Sequence, residues 1–236
     1  MHKIDFLGYV LACLTLVSSA LADTKSMVVA ELFTSQGCSS CPPADALLKN
    51  LAEKQHVLAL AFHVDYWDYI GWKDTFAKPS FTKRQKSYAK QLGRKHIYTP
   101  QMIINGRYDV IGSRAMEVAD ILSDEIRRQK TIVITKIIND KTISLSIAAA
   151  QNNISLPHSD VLAIRFRPYS EVSVKNGENK GKTLLYANVV TSVSKLGTWR
   201  GERSWKTTYS LSGSERVAII VQKQNQGEIY GSVLLR

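Results

Sequence analysis

Cysteine is scarce in this chain: three residues in 236, at positions 13, 38 and 41. So few cannot form the cross-linked framework of a disulfide scaffold, and no second Cys-x-x-Cys pair stands elsewhere to complete a structural zinc site. Internal repeats and low-complexity segments are missing, and no apolar run after the first residues approaches the length of a membrane span. The C-terminal half holds no pattern resembling a catalytic triad or a phosphate loop, and no nucleic-acid motif accompanies the basic residues. Acidic residues are also in deficit, 20 against 31 lysines and arginines, which leaves a net charge of +11 and a pI near 9.6. The basic residues are spread out. Their densest group, Lys78, Lys83, Arg84, Lys86, Lys90, Arg94 and Lys95, reads as a solvated face that favours anionic surfaces, with no specific nucleic acid as partner.

What is present begins with an export signal. Lys3 opens it, Phe6 to Val17 supply the apolar stretch, and Ala20, Leu21 and Ala22 form a small-residue cleavage signature before Asp23. Residues 1–22 are therefore expected to be removed, Cys13 with them, which leaves no transmembrane segment. A lipidated Cys13 would require a shorter apolar lead with no apolar continuation. The expected location is secreted, periplasmic in a bacterium. In a eukaryotic host Asn153-Ile154-Ser155 would be a glycosylation acceptor. Export matters because an oxidising compartment lets Cys38 and Cys41 persist as a disulfide.

The texture changes near residue 130. Before it, Met27 to Thr34 reads as a buried strand. A helix follows whose first turn carries Pro42 and Pro43, tolerated there because those positions lack helical partners for an N–H. Val57 to His63 is a second apolar strand, so the segment forms a right-handed βαβ unit. Thr82 and Gln85 have capping-box spacing and predict a helix to about Leu92. Gln101 to Ile104 and Arg107 to Ile111 flank Asn105-Gly106, a hairpin signal, and Ser113 is placed to cap a last helix. The predicted order is βαβαββα. After residue 130, six segments read as strands: Thr131 to Ile138, Lys141 to Ala148, Val161 to Phe166, Thr183 to Val190, Arg216 to Val221 and Ile229 to Leu234. A β-sandwich or small barrel over residues 131–236 would bury their alternating faces.

Cys38-Ser39-Ser40-Cys41 at a helix start, with Thr99-Pro100 just before an antiparallel hairpin, resembles the thioredoxin fold. More closely, Glu31 to Asp45, His63 to Trp72, Thr99 to Gly106 and the stretches at Asn188 to Val190 and Leu196 to Trp199 resemble the DUF1223 family, secreted thioredoxin-like proteins of no assigned substrate. The resemblance spans nearly the whole chain after the signal. It implies an α/β fold with a thioredoxin-like domain over residues 23–130, followed by the β-sandwich-like domain.

The chemistry expected is thiol–disulfide exchange on protein or small thiol substrates, with no organic or metal cofactor. A cysteine at a helix N-terminus meets the positive end of the dipole, which lowers its pKa, so Cys38 is the expected nucleophile and Cys41 the resolving thiol. The resemblance implies a cis Pro100 that presents the Thr99 backbone to an extended substrate. Glu31 is a candidate proton shuttle, Trp67 a candidate wall of the site with Tyr69 and Trp72, and His63 either a hydrogen-bonded core histidine or a base. Asp45 reads as decoration of the first helical turn. The static alternative is a disulfide that only ties the helix start. An alternative of another class is a non-catalytic periplasmic binding module that handles Cu(I) through the same two thiolates.

Overall fold

A computed structural model describes residues 26–128, 130–151 and 155–236. The expected export signal and Asn153 lie outside them. Two apolar strands, β1 (Val28–Thr34) and β2 (Val57–His63), are buried at every residue and pair in parallel, with Val28 opposite Val57 and Thr34 opposite His63. Helix α1 (Pro42–Ala52) connects them, and α2 (Pro79–Gln91) leads on to β3 (Gln101–Ile104) and β4 (Tyr108–Ile111). β3 runs antiparallel to both β1 and β4. Asn105 and Gly106 make the β3–β4 turn with φ of 48° and 68°, the left-handed pair that a tight hairpin needs. Helix α3 (Ala115–Arg127) closes this half.

Both faces of β1 and β2 are covered, which is why their sequences run apolar without alternation. Val28, Ala30 and Leu32 face Ala44, Leu48 and Leu51 of α1 and Val118 and Leu122 of α3. Val29 and Phe33, with Leu58, Leu60 and Phe62, face Phe81 and Tyr88 of α2. Each fully buried side chain of this size stabilises by about 1.5–3 kcal/mol. A polar pair interrupts the second core: Arg84 sends Nε and Nη2 to Glu31, and Nη2 also to Gln222, while the Tyr88 hydroxyl donates to the Glu31 carboxylate. The basic group on α2 therefore loses Arg84 to the interior, while Lys83, Lys86 and Lys90 remain on its exposed face.

The second half adds β5 (Ile132–Asn139), β6 (Thr142–Ala149), β7 (Ser159–Ser173), β8 (Thr183–Trp199), β9 (Trp205–Ser210), β10 (Arg216–Lys223) and β11 (Ile229–Leu234). These strands divide between two sheets. β8 joins β2 in parallel at Ala61 and Val189, so one eight-stranded sheet runs β11-β10-β7-β8-β2-β1-β3-β4 across the expected boundary at residue 130. Asn188, with φ of 49°, donates its side-chain amide to the Ala59 carbonyl and so satisfies an acceptor at the join. β5, β6 and β9 form a separate three-stranded sheet. It packs Ile132, Ile134, Ile143, Leu145 and Ile147 against Val161, Ala163, Val217, Ile219 and Val221 of the large sheet. The result is a mixed α/β protein with one large sheet and few helices.

Several boundaries differ from expectation. α2 starts at Pro79 after an extended Lys78, because proline fits the first helical turn. Thr82 sits inside that helix and donates its hydroxyl to Asp65. α3 is entered through Arg114 with no side-chain cap. β7 and β8 run far longer than their apolar cores, continuing past Pro168, which cannot donate to the ladder, and bulging where the register shifts. β9 lacks an apolar run and has no counterpart in the sequence reading.

Candidate functional site

β1 ends at Thr34, and the chain turns through Ser35, Gln36 and Gly37 into the cysteines. Ser35 Oγ accepts the Gly37 N–H at 3.1 Å, and its carbonyl accepts the Cys38 N–H at 3.2 Å. Cys41 is the N-cap of α1; its carbonyl accepts the N–H groups of Ala44 and Asp45, and its own N–H goes back to the Cys38 carbonyl at 3.2 Å. The cap makes no side-chain hydrogen bond, and Pro42 and Pro43 bring no N–H to the first turn of α1. Cys38 and Cys41 are joined in a disulfide with their Cα atoms 5.4 Å apart, and Ser40 Oγ lies 3.4 Å from Cys38 Sγ. Both cysteines are fully buried.

Thr99 and Pro100 lie beside this turn, joined by a cis peptide bond. Trp67 connects the two: its Nε1 donates to Thr99 Oγ1 at 2.7 Å, and its Cβ would stand 3.3 Å from a Cβ added at Gly37, next to Cys38. On the helix side, a Cβ at Gly112 would meet Ala44 of α1 at 3.2 Å and Pro100 at 3.4 Å. Glycine at 112 thus lets the proline loop and the first turn of α1 close on each other. Trp67 therefore spans from Gly37 to Thr99. Trp72 lies one step further out, donating its Nε1 to Gln36 Oε1 at 2.9 Å, and Tyr69 points away at 82% exposure.

Beneath the cysteines is a buried polar cluster that the sequence reading did not assemble. Thr34 and His63 end neighbouring parallel strands on the face covered by α1, and Asp45, four residues after Cys41, lies on the same helix face as that cysteine. His63 Nδ1 lies 2.7 Å from Asp74 Oδ2 and, facing a carboxylate, donates to it, both side chains fully buried, while His63 Nε2 has no hydrogen-bond partner among the described residues. Both Asp45 carboxyl oxygens, Thr34 Oγ1 and the Tyr186 hydroxyl are likewise buried without a hydrogen bond of normal geometry. Burial drives the Asp45 carboxyl up to about 7, against the opposing pull of the His63 ring and the Thr34 hydroxyl. Asp74 behaves oppositely. Burial would raise it too, but His63 and the amides of Gln36 and Phe76 hold it below the ordinary aspartate value.

Glu31 does not belong to this cluster. Alternation along β1 turns it to the α2 face with Val29 and Phe33, away from α1, and Arg84 and Tyr88 occupy its carboxylate. The proton shuttle assigned to Glu31 therefore loses its geometric basis. Asp45 was within reach of sequence reasoning: an acidic residue four positions after Cys41 shares its helix face. What covers that face comes from β8, more than 130 residues away.

A second long-range contribution reaches the cysteine turn itself. Asn179, fully buried in the β7–β8 loop, donates its amide to the carbonyls of Gln36 at 3.0 Å and Cys38 at 2.9 Å. The neighbouring Glu178 accepts the Ser39 N–H at 3.3 Å. Among the described residues no group of three or more His, Cys, Asp or Glu is arranged to hold a metal ion. A surface concavity on the three-stranded sheet, lined by Thr135, Ser144 and Thr208, includes none of the residues of the cysteine site.

The fold and site define a mixed α/β protein that carries a Cys-x-x-Cys disulfide at a helix start. The chain belongs to DUF1223, a family described as proteins of unknown function, whose sequence profile matches residues 29–222. It is similar to a crystallised structural-genomics protein from Agrobacterium tumefaciens, with 31% identity over 89% of this chain and 95% of that one and a TM-score of 0.75. HBP35 of Porphyromonas gingivalis shares the fold at 15% identity and a TM-score of 0.60, over 89% of this chain and 75% of that one. No functionally curated protein matches.

Proposed function

We propose that the protein is an exported, thioredoxin-like thiol–disulfide oxidoreductase whose redox pair is Cys38 and Cys41. The observation that carries this reading is the disulfide at the N-terminus of α1, closed between two residues of one turn directly after a buried strand. The element order β1-α1-β2-α2-β3-β4-α3, and the convergence of Thr99 and Pro100 on the same turn, support it.

In the oxidising direction a substrate thiolate attacks Cys38 Sγ, a new S–S bond forms, and the Cys38–Cys41 bond breaks with Cys41 leaving as thiolate. Asp45, half protonated near pH 7, gives that thiolate its proton. A second substrate thiolate then attacks the substrate sulfur of the mixed disulfide and releases Cys38 as a thiolate that the helix terminus stabilises. The substrate has lost two electrons and become a disulfide. In the reducing direction the Cys38 thiolate attacks a substrate disulfide, Asp45 takes the Cys41 proton, and Cys41 attacks Cys38 Sγ to release the reduced substrate. Thr99 is positioned to align an extended substrate by its backbone.

The test is the equilibrium potential of the pair, read by alkylating free thiols of the protein without residues 1–22 in thiol buffers. A reversible couple between about −120 and about −270 mV is expected, its position setting the direction of electron flow; a pair resistant below about −300 mV would mark a static tie and refute the proposal. Stoichiometric Cu(I) binding by the reduced protein, lost in Cys38→Ser and without disulfide exchange, would favour the binding-module alternative.

A further inference from the structure

The β7–β8 loop ties down the backbone of the cysteine turn by three hydrogen bonds, all from side chains more than 130 residues away in sequence. Asn179 Nδ2 serves the carbonyls of Gln36 and Cys38, and Glu178 serves the N–H of Ser39. Asn179 is itself held, its Oδ1 accepting Lys182 Nζ at 3.0 Å. The strap hangs from a closed base, where the Val174 N–H donates to the Lys182 carbonyl and the Gly181 N–H to the Val174 carbonyl, each at 2.9 Å; within it Gly177 at φ 76° and Gly181 at φ 83° flank Glu178 and Asn179. The loop also packs closely on Trp72 at Gly177, where a Cβ would stand 3.2 Å from the Trp72 Cβ. With Cys38 fully buried, an outside thiolate cannot reach its sulfur along the line of the S–S bond until a covering segment moves.

Two carbonyls and one amide of an irregular turn can pair with the backbone of a partner polypeptide, and here the chain's own side chains occupy them. A tripeptide-sized thiol that displaces the strap has few groups with which to replace those bonds. An extended polypeptide has an N–H and a C=O at every residue and can replace all three. We infer that Glu178 and Asn179 are specificity-determining residues of the Cys38–Cys41 site, holding it closed against small thiols and yielding to cysteines carried on an extended polypeptide. This rests on the exchange activity proposed above. The step it governs is the same balanced one: two substrate thiols become a disulfide as the Cys38–Cys41 disulfide becomes a dithiol.

The experiment uses the oxidised full-length secreted form and reads loss of the Cys38–Cys41 disulfide by quenching and alkylation. Initial rates are compared at equal thiol concentration for reduced glutathione and for a reduced, unfolded polypeptide carrying two cysteines. The wild type is expected to react at least tenfold faster with the polypeptide. Asn179→Ala, which removes two hydrogen bonds, should speed the glutathione reaction by roughly thirtyfold. Glu178→Ala, at an exposed position that leaves folding intact, should speed it by roughly fivefold. Neither should change the polypeptide rate as much, so the preference collapses. General loosening of the fold would raise both rates together and leave their ratio unchanged. An unchanged ratio in Glu178→Ala, or a wild type that reacts equally with both thiols, overturns the inference and leaves the redox proposal standing. A potential below the redox-active range, measured separately, overturns both.

Discussion

Asp45→Asn separates a functional carboxyl from a decorative one. Burial lifts the pKa of this side chain from 3.8 to about 7 against the opposing pull of the His63 ring and the Thr34 hydroxyl. Because the folded value lies above the unfolded one, the native state binds the proton more tightly, and stability falls as pH rises from about 4 to about 7. At 1.36 kcal/mol per pKa unit the shift amounts to about 4 kcal/mol, absent below pH 4 and complete above pH 7. Asparagine has the same shape and no charge. The variant should therefore match the wild type at pH 4 and exceed it by up to about 4 kcal/mol at pH 8, measured by urea denaturation with the disulfide intact. Disulfide exchange should respond in the opposite sense. Without a proton carrier on the Cys41 side, the rate should fall by roughly 10²–10⁴ and lose its inflection near pH 7. A stability difference that does not vary between pH 4 and pH 8 would refute the assignment of the buried charge, and an unchanged exchange profile would refute the catalytic one.

Three other perturbations test the surroundings. Arg84→Met leaves the Glu31 carboxylate buried without its partner and should cost about 3–5 kcal/mol in denaturant melts, most of it recovered in the double variant Glu31→Gln/Arg84→Met. Gly112→Ala drives a methyl to 2.7 Å from Leu32 Cδ1 and toward Ala44 and Pro100. It should destabilise by about 1–3 kcal/mol and slow exchange more than an equally destabilising change in the three-stranded sheet, such as Ile143→Val or Ile147→Val. Trp67→Phe removes the donor to Thr99 and should raise KM for a polypeptide dithiol severalfold with little change in kcat, a split that steady-state kinetics would show.

The parts of the site visible in the sequence are those specified by neighbours along the chain. A buried strand, two cysteines, two prolines and an amphipathic helix follow one another within 25 residues, and Asn105-Gly106 states its own turn geometry. The Thr82 and Gln85 spacing placed the start of α2 one turn too late: the helix begins at Pro79, and the Thr82 hydroxyl goes to Asp65 instead of capping it. The contacts that close the site are long-range. Asp45 looks exposed as a first-turn acid until β8 lies across α1, and Asn179 is one polar residue in a glycine-containing turn until that turn reaches Cys38. The division at residue 130 follows a real change of periodicity. Sheet membership is decided instead by edge pairing: β2 presents an open edge, and β8 fills it with only a short parallel contact that no residue pattern announces.

The burial of both sulfurs fits a static tie as readily as a guarded redox pair, so the choice between them turns on what surrounds the disulfide. A cross-link between residues three apart closes a very small loop, and chain entropy gives it only about 2 kcal/mol. The apolar cores on both faces of the sheet already provide many times that amount. Against this small gain stand His63 Nε2 and the Tyr186 hydroxyl, buried without hydrogen bonds at about 1–3 kcal/mol each, and the Asp45 carboxyl, whose burial the His63 ring and the Thr34 hydroxyl only partly offset. A structural tie has no use for a carboxyl poised near pH 7 one helical turn from a cysteine, and apolar residues there would hold the helix more firmly. An exchange reaction must take a proton from Cys41 and return it inside a site that excludes water, and the residues that weaken the fold are the ones able to do so. Unpaired polar groups retained at such expense beside a disulfide favour chemistry over reinforcement.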